Sequence, residues 1–270
     1  MRFFQGSVLV SSFFLFTLTP SQESIMLKYT PQLNKKFVYE LKLKIVQNLE
    51  RFGTKKPHTL LPSQSEFEAV GKFSLEISSK GKNFVETYTL LEITTTMKAL
   101  SQEFPIKDLQ KYVGKKWEVL VSKKGEVLKQ KNFKRFYSEI PYGKKLKKGE
   151  NFKTKSLVLL PFLDMDIEVQ NKMTYTLNNI KENLCFFTFS SEVEAFSSYP
   201  EEKEFEAESK ITGKGTGSFT YNNSKGIVEN AQINFILISD VFSHGKQITP
   251  KKLKMKQEIS LSVKIVTPHF

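Results

Sequence analysis

Three carboxylates, Asp164, Asp166 and Glu168, alternate with Met165, Ile167 and Val169. Carboxylate oxygens are the preferred ligands of hard cations. On an extended chain the three share one face, but neighbours sit roughly 7 Å apart and the outer two about 13 Å apart. One ion cannot take all three, so the pattern reads as a solvated strand face. The histidines, His58, His244 and His269, are scattered among a loop, a turn and the carboxyl end. No His or Cys spacing suits structural zinc, and no Gly-x-Ser-x-Gly elbow accompanies a histidine. Asp240 near His244 is the one acid–imidazole pair, and it reads as a polar turn. Gly213-Lys214-Gly215-Thr216-Gly217-Ser218 is glycine-rich, yet Walker A ends in Gly-Lys-Ser/Thr and opens a helix. Here Phe219-Thr220-Tyr221 alternates like a strand, so the glycines mark a bulge or close packing. Cys185 is a lone thiol expected on a buried strand. These spacings assign no catalytic residue, no metal ligand, no ligand-binding residue and no cofactor.

Lysine is the more distinctive chemistry. Lys and Arg total 41 against 28 Asp and Glu, a net charge of +13, and the only arginines are Arg2, Arg51 and Arg135. Arginine is the favoured side chain for bidentate base and phosphate reading, so lysine dominance argues against sequence-specific nucleic-acid recognition. It suits diffuse attraction to an anionic partner. The densest runs are Lys144, Lys145, Lys147, Lys148 and Lys251, Lys252, Lys254, with further pairs at Lys115-Lys116 and Lys123-Lys124. Most fall at expected turns or strand ends. Turns gathered at one end would form a positive rim for anionic headgroups or polysaccharide. Lysine on strand edges also blocks unwanted pairing, which is the structural alternative.

The elements that must position these residues are strands. Between Lys36 and Leu49, Phe37, Tyr39, Leu41, Leu43 and Ile45 share one face, and Lys42 and Lys44 take the other. Similar alternation predicts strands over Gly71–Ser78, Asn83–Thr95, Trp117–Val121, Glu126–Gln130, Phe152–Leu160, Met165–Asn178 and Cys185–Phe196. It continues over Glu204–Ile211, Gly217–Tyr221, Ile227–Ile238 and Glu258–Val266. Turns are expected at Ser79-Lys80-Gly81-Lys82, Lys123-Lys124-Gly125, Asn222 to Gly226 and Ser243 to Lys246. A loop is expected over Gly53–Ser65, and short helices around Ile106–Tyr112 and Asn132–Glu139. The chain also contains 24 Phe. The fold class is therefore all-β: long antiparallel strands in a curved sheet, sandwich or half-barrel, with one or two short helices. Gly71-Lys72-Phe73 resembles Gly215-Thr216-Gly217 and its sequel, which is compatible with duplicated halves.

At the amino terminus Arg2 precedes an apolar core, Ser7 to Phe16, and Thr19-Pro20-Ser21 supplies small residues for cleavage. This is the layout of a secretory signal peptide over residues 1–21. Two β halves follow, 22–139 and 140–270, or one continuous domain. No later apolar run reaches membrane-spanning length, so the processed chain is expected to be soluble or peripheral.

The order of short motifs resembles an uncharacterised family of exported, all-β bacterial proteins. The motifs are Leu27-Lys28-Tyr29, Gly125-Glu126-Val127, Pro141 with Lys148-Gly149-Glu150, Tyr175-Thr176-Leu177 and Gly213-Lys214-Gly215-Thr216-Gly217. Phe152 stands where that family carries a tryptophan. The resemblance implies export and a β fold and brings no catalytic residues. Three functions follow from the whole reading. The first is a non-catalytic envelope protein binding a lipid or other apolar ligand within the sheet. The second is a surface-interaction protein holding an anionic envelope component through lysines. The third is a hydrolase with an unrecognised site. No residue pattern fixes an oligomeric state.

Overall fold

The computed structural model describes residues 23–52, 64–99, 102–105, 108–130, 140–162, 165–202, 205–245 and 248–266. The strands are β1 (Ser24–Met26), β2 (Lys36–Phe52), β3 (Gln64–Lys80), β4 (Asn83–Ala99), β5 (Gln102–Pro105), β6 (Lys116–Val121) and β7 (Val127–Gln130). They continue as β8 (Lys145–Lys147), β9 (Asn151–Phe162), β10 (Met165–Lys181), β11 (Leu184–Glu202), β12 (Phe205–Asn222), β13 (Ile227–Gly245) and β14 (Ile248–Val266). One large sheet runs β7-β6-β4-β3-β2-β14-β13-β12-β11-β10-β9, with β5 beside β4, and every pairing is antiparallel. β1 and β8 form a separate two-stranded ribbon.

The all-β expectation holds, and the register explains the alternation. Leu41 and Leu43 on β2 pair with Val263 and Leu261 on β14, while Lys42 and Lys44 point the other way. On that outer face Lys44 reaches Glu66 at 2.9 Å and Glu68 at 3.1 Å, and Lys72 reaches Glu92 at 2.7 Å. The inner face is apolar. Cross-strand rings stack on it: Tyr39 on Phe73 at 4.9 Å, Phe152 on Tyr175 at 4.8 Å and Phe187 on Phe219 at 4.8 Å. Such pairs stabilise a sheet beyond their buried area. The two expected halves meet in this one sheet, because β2 pairs with β14 along fifteen residues from Val38 to Phe52.

The strands outrun most of the expected spans. From Phe205 onward, the expected strands Glu204–Ile211 and Gly217–Tyr221 join into one, β12, and the glycines between them are the reason. A Cβ on Gly215 would lie 2.2 Å from the Phe235 ring, and one on Gly217 would lie 2.5 Å from the Phe189 ring. The rings occupy the space that side chains would take, so the strand continues where propensity suggests a break. Similarly, β13 runs through Ser243, His244 and Gly245, where a turn was expected. The helix expected around Ile106–Tyr112 is a short 3-10 turn over Asp108–Tyr112, held partly by the Gln110 amide on the Ile93 carbonyl. The helix expected at Asn132–Glu139 and the loop expected at Gly53–Ser65 fall largely or wholly outside the described residues, as does the leader. The resembling glycine motifs sit on β3 and β12. These are the third strand of one half and the fifth of the other.

The sheet curls around the β1–β8 ribbon. Phe84 on β4 touches Tyr29 at 5.6 Å, Tyr29 touches Tyr142 at 5.4 Å, and Tyr142 touches Tyr221 on β12 at 5.9 Å. β4 and β12 lie five positions apart in the sheet order, about 24 Å if flat. Three ring contacts bridge them, so the ribbon and its flanking tyrosines cross the concavity as a plug. Ile25, Leu27, Leu146 and Ile140 bury their side chains there against Leu177, Cys185 and Phe187. A second cluster joins Tyr29 to Leu75, Ile77, Val119, Val121 and Ile227. A third lies further along the strands, with Val193, Ala195, Ile211, Leu237 and Met255 buried together.

Candidate functional site

The plug is tied to the sheet by polar contacts at its ends. The Tyr29 hydroxyl donates to Glu86 at 2.6 Å, and the Tyr88 hydroxyl donates to the same buried carboxylate at 2.8 Å. The Tyr221 hydroxyl donates to the Lys28 carbonyl at 2.6 Å. Asn223 accepts from the Lys28 amide and donates to the Met26 carbonyl. Gly226 completes the β12–β13 turn at φ 69°, and a Cβ there would press on the Thr30 backbone at 2.9 Å. Asn222 belongs to the same turn. Its side-chain oxygen accepts from Ser224 and Lys225, and its amide donates to Glu229, so the Asn222 side chain is consumed by the turn.

Turn positions decide where the charge goes. The register places the tips at Lys80–Asn83, Lys181–Leu184, Asn222–Ile227 and Ser122–Glu126 on the plugged end, along with the start of β2 and the ribbon. Turns require polar, flexible residues, and this chain supplies lysine. Lys35 and Lys36, Lys80 and Lys82, Lys123 and Lys124, Lys144, Lys145, Lys147 and Lys148, and Lys181 are all exposed here. Glutamates partly offset them. Glu76 meets Lys36 at 3.7 Å, and Glu229 meets Lys225 at 3.0 Å. Glu150 turns back to accept the Lys147 amide at 2.8 Å. Exposed Met26 and Leu33 sit among these lysines, at 41% and 42% accessibility.

Of the expected anionic-partner residues, Lys144, Lys145, Lys147 and Lys148 lie at this closed end. Lys251, Lys252 and Lys254 do not. They lie inside β14, opposite Ser243, Phe242 and Asp240. Lys254 is twelve residues from Val266 at the closed end, roughly 40 Å along a strand. The two runs therefore occupy different ends of the molecule and cannot form one rim. The contributions of Lys35, Lys80, Lys82 and Lys181 were not singled out in sequence, since each is an ordinary turn lysine until the register aligns the tips.

Other candidates resolve as structure. Asp166 and Glu168 alternate along β10, and Asp164 lies outside the described residues. His244 and Asp240 are four positions apart on β13, paired with Glu206 and Lys210 respectively, so they are strand residues and not a turn pair. His58 and His269 lie outside the described residues. Among the described residues no group of three or more His, Cys, Asp or Glu side chains could hold a metal ion. Cys185 is buried, and burial pushes its thiol up to about 11. That suppresses the reactive thiolate. No helix among the described residues is long and apolar enough to cross a membrane.

No family model matches the chain, and no curated protein does. Among solved structures, that of Pseudomonas aeruginosa OpdQ is similar over 87% of this chain and 100% of that one, at 6% identity and a TM-score of 0.27. That of Pseudomonas aeruginosa OccK5 (OpdH) covers 88% and 100%, at 6% identity and a TM-score of 0.23. Scores this low define no common fold.

Proposed function

We propose that this chain is a non-catalytic exported protein of the cell envelope that holds an anionic partner at its closed, lysine-bearing end. The supporting observation is the convergence of turns. Hairpin tips distant in sequence, the start of β2 and the ribbon all present exposed lysine on one end of the sheet. Clustered exposed charge attracts a polyanion collectively, although each contact is weak. The competing reading, an apolar ligand inside the sheet, has less room at this end. Tyr29, Tyr142, Tyr221 and Phe187 fill the closed end, and Ile211, Leu237 and Met255 pack together beyond it.

Immobilised heparin is a generic polyanion probe for this reading. The chain is expected to be retained at low salt and released as salt rises, because screening contracts from about 10 Å at 0.1 M to about 3 Å at 1 M. Replacing Lys144, Lys145, Lys147 and Lys148 by Glu should move elution to markedly lower salt. Retention unaffected by salt or by that replacement would overturn the proposal.

A further inference from the structure

The closed end is also where the amino-terminal segment enters the fold. Ser24 to Met26 is paired with Lys145 to Lys147, and Leu27 is fully buried, so this part of the chain is fixed there. The apolar run ends at Phe16, eight residues before Ser24. Eight residues span at most about 29 Å. Before the leader is cleaved, while that run is held in a bilayer, the closed end lies within that distance of the lipid. The same end carries the exposed lysines and, between them, exposed Met26 and Leu33. Basic side chains interleaved with apolar ones suit an anionic lipid interface, where lysine meets headgroups and the apolar groups enter the acyl boundary.

From this coincidence we infer that the partner is an anionic phospholipid bilayer and that the molecule docks on it end-on, with the long strands rising from the membrane. The inference rests on the anionic-partner reading and deepens it. Strands of 17 to 19 residues make β10 to β14 roughly 55–65 Å long, so end-on and side-on docking are readily told apart.

The test uses the folded chain, with buried Cys185 left in place, and vesicles of phosphatidylcholine alone or mixed with phosphatidylglycerol. An environment-sensitive dye is attached through Leu33→Cys, through Met26→Cys, or through Asn234→Cys on the outer face of β13. Binding is expected only with phosphatidylglycerol. Dyes at Leu33→Cys and Met26→Cys should shift to the blue and be quenched by headgroup spin labels, and the dye at Asn234→Cys should not. Leu33→Ser should weaken partitioning about fivefold. Quenching at Asn234→Cys instead would overturn end-on docking. Heparin retention without binding to either vesicle would overturn the lipid assignment and leave the polyanion reading standing. Failure of both heparin and vesicles would sink the underlying reading itself.

Discussion

At the scale of single residues, the structure turns apparent chemistry into packing. Gly215 and Gly217 are bare because Phe235 and Phe189 lie over them, which is why a glycine-rich run continues as strand. Glycine's lack of a side chain was legible in sequence, but the ring it makes room for sits on another strand and was not. Cys185 was legible as a buried thiol, and its titration gives a pH signature. Burial keeps the folded thiol protonated from its ordinary value of 9.0 up to about 11. The unfolded thiol gives up its proton first, so between those values the unfolded state binds fewer protons and each rise in pH favours unfolding. Compared with Cys185→Ala, which lacks the group, the native chain should lose urea resistance between about pH 9 and about pH 11 and lose no more beyond. The comparison of urea midpoints cancels the lysine and tyrosine titrations common to both chains. Parallel profiles for the two would contradict the burial argument.

At the scale of elements, period-two alternation made the long strands legible. Phe37, Tyr39 and Leu41 against Lys42 and Lys44 announce β2 without reference to its neighbours. The ribbon was not legible. β1 and β8 have three residues each, too few for a period, and their burial comes from crossing a concavity that exists only after the sheet has curled. Strand lengths were underestimated for a related reason. Pairing with two neighbours extends a strand through residues such as Ser243, whose own preferences favour a turn. If the plug holds the curl, its central side chain should matter out of proportion to the element's size. Leu27 is fully buried and touches the main core, so Leu27→Ala should cost about 2–5 kcal/mol in denaturant unfolding. Val70, 47% exposed on the outer face, is the control. Val70→Ala should change stability by no more than about 0.5 kcal/mol. Equal effects would mean that the ribbon merely rests against the sheet.

At the scale of the whole molecule, charge placement follows from topology. A meander of long hairpins sends alternate turns to opposite ends, so residues far apart in sequence become neighbours at a tip. Lys80, Lys144 and Lys181 are brought to the same end in this way. Lys144 and Lys254 are separated because β14 carries Lys254 away from the closed end toward its pairing with Glu50 and Asp240. Sequence density alone treats both lysine runs alike, whereas register separates them. A flat anionic surface can engage only one end of so long a molecule at a time, since charges more than a Debye length from the surface are screened. Replacing Lys251, Lys252 and Lys254 by Glu removes as much formal positive charge as replacing Lys144, Lys145 and Lys148. A response to net charge alone would therefore weaken binding to phosphatidylglycerol vesicles equally in the two variants. Docking through the closed end predicts otherwise. The Lys144, Lys145, Lys148 variant should lose most of its binding, and the Lys251, Lys252, Lys254 variant should keep nearly all of it at physiological salt. Vesicle co-sedimentation of both variants decides between these outcomes, because the two share net charge and differ only in the end they alter.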